Sequence, residues 1–125
     1  MSSFTNHVTL RGVIVDQVSL KQGCLFYTLA WVTSKKKLNY VKVAVFGTAA
    51  VDFAKECSMN DRVLVEGILD TLILPSYAGV RIILNHWIKL NESPRNNTYV
   101  SDMYEQSMTH RLASKVDPYS DKFNY

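Results

Sequence analysis

The first 91 positions read largely as strands, and the alternation of apolar and polar residues is cleanest at Tyr40-Val41-Lys42-Val43-Ala44-Val45-Phe46. In an extended chain Val41, Val43 and Val45 share one face, and Tyr40, Lys42, Ala44 and Phe46 share the other. Upstream, His7 to Val15 opens with alternation and then turns continuously apolar around Gly12, where a glycine inside a strand predicts a bend or bulge. A Lys21-Gln22-Gly23 turn leads into Leu25 to Val32, rich in aromatic and β-branched residues. Gly47 ends the third strand, and Thr48 is placed to cap a helix from Ala49 to Cys57 with Ala50, Val51, Phe53 and Ala54 as its apolar stripe. Arg62 to Leu74, bent at Gly67, and Val80 to Leu90 complete five strands, with turn chemistry at Pro75-Ser76-Tyr77-Ala78-Gly79 between them.

This order, β-β-β-α-β-β with short connections, predicts an all-β chain. Its expected fold is a five-stranded Greek-key barrel of the oligonucleotide/oligosaccharide-binding (OB) type, with one short helix between strands 3 and 4. A ferredoxin-like sheet needs a second helix for which residues 1–91 have no room. Residues 92–125 differ in character. Asn, Ser, Thr and Pro rise, the periodicity fades, and a helix over Met103 to Lys115 is marginal in isolation. They are expected to form a mobile C-terminal tail carrying Tyr99, Tyr104, Tyr119, Phe123 and Tyr125.

Composition narrows the class. With 125 residues, 47% apolar and 20% charged, the chain is one domain with a core of its own. There is no apolar run of membrane-spanning length and no export signal at Met1-Ser2-Ser3-Phe4-Thr5, so a cytoplasmic protein is expected, nucleoid-associated or in the host-cell equivalent if phage- or plasmid-encoded. Two cysteines, Cys24 and Cys57, make no disulfide framework. His7, His86 and His110 lack metal spacing with them. No Gly-rich phosphate loop, nucleophile elbow or His-Glu-x-x-His pattern occurs, and Asp52 and Glu56 have the spacing of a solvated helix face. No enzyme, cofactor or metal is expected. The net charge of +3 is unevenly spread: 10 basic residues face 6 acidic ones through Asn91, and 4 face 5 thereafter. That excess permits an anionic partner.

The candidate chemistry lies on the polar face of the third strand. Tyr40, Lys42 and Phe46 place a ring, a cation and a ring around the small Ala44, which suits a nucleic-acid strand whose bases stack while an amine meets phosphate. The competing reading is a second core behind the barrel or an oligomer interface. Lys35, Lys36 and Lys37, on the loop before this strand, are either a solvated turn or the rim of a phosphate-tracking groove. Arg11 and Phe26 are further candidates by strand parity, and Tyr77 by its place on the loop before the fifth strand, where it either stacks or caps the barrel end. Trp31 and Trp87 are expected in the core, Trp31 because it shares parity with Leu29.

These residues resemble the bacterial-type single-stranded DNA-binding proteins. Asn6-His7-Val8-Thr9-Leu10-Arg11-Gly12 is similar to the family's opening strand and Thr28-Leu29-Ala30 to its second. Tyr40 to Gly47 resembles its aromatic-x-basic-apolar run ending Phe-Gly, and Val65-Glu66-Gly67-x-Leu69-x-Thr71 its fourth strand. The resemblance implies that Phe46 stacks on bases, that Tyr40 stands where the family has a stacking tryptophan, and that Lys42 meets phosphate. It also implies a homo-oligomer, a tetramer before a dimer. The chain departs from the family in a shorter loop at Lys35–Lys37, in Asp70-Thr71-Leu72-Ile73-Leu74 where basic residues and a tryptophan are usual, and in a C-terminus without an acidic tip.

The expected function is sequence-independent binding of single-stranded DNA in replication, recombination or repair, with replication or recombination proteins as further partners. The alternatives are an accessory primosomal-type OB protein acting mainly through protein contacts, and an RNA-binding or structural OB module.

Overall fold

The computed structural model describes residues 4–20, 23–75, 77–90 and 94–116. Five strands, β1 (Val8–Leu20), β2 (Cys24–Val32), β3 (Leu38–Phe46), β4 (Arg62–Leu74) and β5 (Tyr77–Leu90), close a barrel in the order β1-β2-β3-β5-β4. Neighbouring strands run antiparallel except β3 and β5, whose parallel pairing through Lys42–Arg81, Val43–Ile82 and Ala44–Ile83 closes the ring. Helix α1 (Gly47–Glu56) lies between β3 and β4. This is the expected OB architecture. Strand β5 begins three residues earlier than the pattern predicted, so part of the expected turn belongs to the hairpin.

Alternation builds the interior. Ile14, Leu25, Tyr27, Leu29, Val43, Val45, Val63, Val65 and Ile82 are buried inside the barrel. Ala50 and Phe53 of α1 close the same core. Tyr27 stacks on Phe53 with centroids 4.6 Å apart, and Trp87 meets Phe53 edge-on at 5.3 Å. The helix starts two residues before the expected position. Its N-cap is Phe46, without a side-chain capping bond, and Thr48 falls within the first turn. The corner is made instead by Gly47, which takes φ +65° and donates its N–H to the Gly23 carbonyl at 2.9 Å. Of the expected apolar stripe only Ala50 and Phe53 are buried, and Val51 faces solvent.

The main departure from expectation is at the C-terminus. Where a mobile tail was expected over 92–125, residues Pro94–Val116 form a second helix, α2, packed across β1, β2 and β3 on the outside of the barrel. Val100, Tyr104 and Met108, four residues apart, share one helix face and cover Val13, Val15 and Ala30 together with Val32, Leu38 and Tyr40. The outer side of these three strands is apolar as well as the inner one, and this second cluster supplies the burial an isolated helix lacks. Polar contacts fix the start of α2: Arg62 Nε donates to Asn97 Oδ1 at 3.0 Å, and Ser101 Oγ donates to Asn60 Oδ1 at 2.6 Å.

Candidate nucleic-acid interface

Helix α2 divides the outer face of the sheet, and with it the candidate residues. Phe26, Lys42 and Phe46 lie on one side, Arg11 and Lys36 on the other, and Tyr40 lies beneath. The lysine loop, read from the sequence as a solvated turn or a rim beside the β3 face, is therefore set apart from Lys42 and Phe46 by the helix. Tyr40 is half-buried, its ring edge-on to Tyr104 with centroids 5.4 Å apart, so the expected open stacking platform at this position is corrected to a helix contact.

The first side is built by register. Phe26 pairs with Ala44 and Thr28 with Lys42 across β2 and β3, and Lys42 pairs with Arg81 across β3 and β5. Lys42 is exposed, and its Nζ donates to the Thr28 hydroxyl at 2.9 Å, which holds the amine against the sheet. Phe46 leaves 47% of its surface open at the end of β3. The Arg81 guanidinium is 5.9 Å from the ring centroids of both Phe26 and Phe46, near the outer reach of a cation–π contact. Its Nε donates to Asp70 Oδ2 at 2.9 Å, an ion pair between directly paired residues of β4 and β5. Arg81 was not among the sequence candidates. Its signal was the alternation Val80-Arg81-Ile82, which turns it outward as Ile82 enters the core.

On the second side, Lys35, Lys36 and Lys37 are exposed on a tight turn in which the Thr33 N–H donates to the Lys37 carbonyl and the Lys36 N–H donates back to Thr33. Lys36 takes φ +61°. With Arg11 and Arg62 it borders a groove of about 840 Å³ between α2 and the barrel, into which Trp31 and Tyr99 also face. Trp31 is thus half-buried at the groove rather than part of the inner core as parity predicted, whereas Trp87 packs on that core. The Tyr77 backbone pairs with Leu74, and its side chain lies outside the described residues.

Among the described residues no group of three His, Cys, Asp or Glu is placed to hold a metal ion, and no helix is long and apolar enough to cross a membrane. The perturbed groups are internal. Burial, and then the neighbouring Cys57, pushes the Tyr27 hydroxyl far above its usual range, and burial first of all pushes the Cys57 thiol up to about 11. Both favour their neutral forms within the core.

No protein-family model matches the chain, and no curated protein sequence does. Solved structures do match. A small single-stranded DNA-binding protein from Mycoplasma pneumoniae superposes with a TM-score of 0.58 at 18% identity, over 72% of this chain and 98% of that one. The second single-stranded DNA-binding protein of Mycobacterium smegmatis gives 0.59 at 23% identity, over 69% and 89% of the two chains. The mitochondrial single-stranded DNA-binding protein of S. cerevisiae gives 0.60 at 16% identity, over 70% and 97%. The closed five-stranded barrel with its helix between β3 and β4 is therefore the OB fold that these single-stranded DNA-binding proteins share.

Proposed function

We propose that this chain binds single-stranded DNA with little sequence preference, as a non-enzymatic barrel that coats exposed strands in replication, recombination or repair. The observation that carries the proposal is the outer wall of β2, β3 and β5, where Phe26 and Phe46 flank Arg81 beside Lys42. Phe26 lies beside Ala44, between Lys42 and Phe46 on the same face of β3, and Arg81 lies beside Lys42. Any base can stack on a phenylalanine, and a phosphate has two cations within reach, so affinity follows without base-edge readout. The three structural neighbours are themselves single-stranded DNA-binding proteins, which supports the same ligand. Titration of labelled oligo-dT, followed by anisotropy, tests the assignment. Phe46→Ala weakens binding by about 1–3 kcal/mol while the circular dichroism of the barrel is unchanged. Unaltered titration curves for both Phe46→Ala and Phe26→Ala would remove the wall from the mechanism. Competition by an RNA of equal length separates a DNA-directed barrel from an RNA-directed one.

A second, compatible reading is contact between copies or with other proteins, favoured by the β4–β5 hairpin. Leu69, Ile73 and Val80 share the face that continues the barrel lining, yet they are exposed, Ile73 by 73%. We propose that this patch supports homo-oligomer formation. Light scattering on the intact chain checks it, with Ile73→Glu expected to lower the mass if the patch is an interface.

A further inference from the structure

Helix α2 leaves a surface on its far side that the wall of Phe26, Lys42, Phe46 and Arg81 does not use. There the first turns of α2, Arg11 to Val13 of β1, the end of β2 and the β2–β3 turn border the groove of about 840 Å³, within the ~300–1,000 Å³ range of ligand sites. Arg11, Lys36 and Arg62 border it, Trp31 and Tyr99 add two rings, and none of its described lining residues is Asp or Glu. Tyr99 is 50% exposed although the next residue, Val100, is buried against the barrel. The Nε bond to Asn97 fixes the plane of the Arg62 guanidinium, whose terminal nitrogens have the fork geometry that suits a phosphate.

We infer that this groove is a second subsite for the same single strand, taking one or two nucleotides with bases against Trp31 and Tyr99 and phosphates against Arg11, Lys36 and Arg62. The inference rests on the proposed binding of single-stranded DNA and deepens it: the chain engages a strand on both sides of α2. Cations alone would suit an acidic peptide equally. Two rings in the same groove favour bases, since stacking needs flat faces that acidic side chains lack. A free nucleotide shares this chemistry, but the lysine turn at one edge continues the cationic border outward, as a passing backbone requires.

Trp31 supplies the readout, because it lines the groove whereas the half-buried Trp87 is held edge-on against Phe53 of α1, outside the groove lining. Intrinsic emission of the intact chain is followed during titration with a ~20-nucleotide oligo-dT, longer than the ~4–16 nucleotides one barrel covers, and separately with dTMP. The oligonucleotide is expected to quench emission in the native chain and not in Trp31→Phe. Tyr99→Ala and Lys36→Asn, the latter keeping a residue tolerant of positive φ, each weaken its binding at least about fivefold with unchanged circular dichroism. Phe46→Ala weakens binding but leaves Trp31 quenching at saturation. Binding that depends on Phe46, with Trp31 emission static and both groove variants native-like, overturns the groove and leaves the wall intact. Full quenching by dTMP at concentrations matching the oligonucleotide also overturns it, in favour of a free-nucleotide pocket. No oligonucleotide binding at all sinks the proposed function and the subsite together.

Discussion

Arg81 shows how closely attraction and restraint are set at this surface. Its guanidinium reaches both Phe26 and Phe46, while its Nε is held by Asp70. Asp70 is only partly buried, so the pair contributes little to stability, about 0–1 kcal/mol. For a phosphate the aspartate is a competitor. Asp70→Asn is therefore expected to tighten oligo-dT binding severalfold at low salt, an advantage that shrinks as ionic strength rises; equal affinities at both salt levels would exclude Asp70 from the wall's electrostatics. Tyr40 behaves differently from Phe46, although both are outward aromatics of β3. Its ring contacts Tyr104, so Tyr40→Ala is expected to cost about 2 kcal/mol of stability in a urea melt and to affect DNA binding less than Phe46→Ala.

At the scale of elements, the strands and their order along the chain were legible because burial on one face leaves a period-two trace, plain at Val41, Val43 and Val45. Helix α2 was not legible by the same means. Among the described side chains, its apolar contact face is Val100, Tyr104 and Met108, in a segment otherwise rich in Asn, Ser, Thr and charge. The sign of a cover was in the strands instead: Val13, Val15, Ala30, Val32 and Leu38 are apolar on the side that faces away from the barrel, which explains the unbroken Val13-Ile14-Val15 run. The candidate site was half legible for that reason. Parity found Lys42, Phe46 and Phe26, but parity cannot tell that a distant segment lies over Tyr40. Gly67 shows what local pattern does predict. The bend expected there is a register shift between β4 and β5, where a β-carbon would run into the Ile83 carbonyl oxygen. Gly67→Ala is expected to lower stability by about 1–3 kcal/mol, measured by thermal unfolding.

For the whole molecule, charge and pH give two further tests. If Lys42, Arg81 and the groove cations meet phosphates, the logarithm of the binding constant falls with that of salt by about 0.7 per contact, and a flat response would exclude them. Stability has an alkaline edge. The Cys57 thiol is raised from an ordinary 9.0 to about 11, so between those values the unfolded chain loses a proton that the folded chain keeps. The unfolded state gains, and urea midpoints are expected to fall as pH climbs from 9 to 11, with Tyr27 adding to the decline. The barrel's ring is completed by only three residue pairs between β3 and β5, and two of their members are Lys42 and Arg81. This seam is the natural place for the cylinder to breathe, and an oligonucleotide lying over both cations would act as a clasp. Amide exchange at Val43 and Ile82 should then slow on saturation more than exchange along the long β4–β5 ladder, making a bound strand part of what keeps the barrel shut.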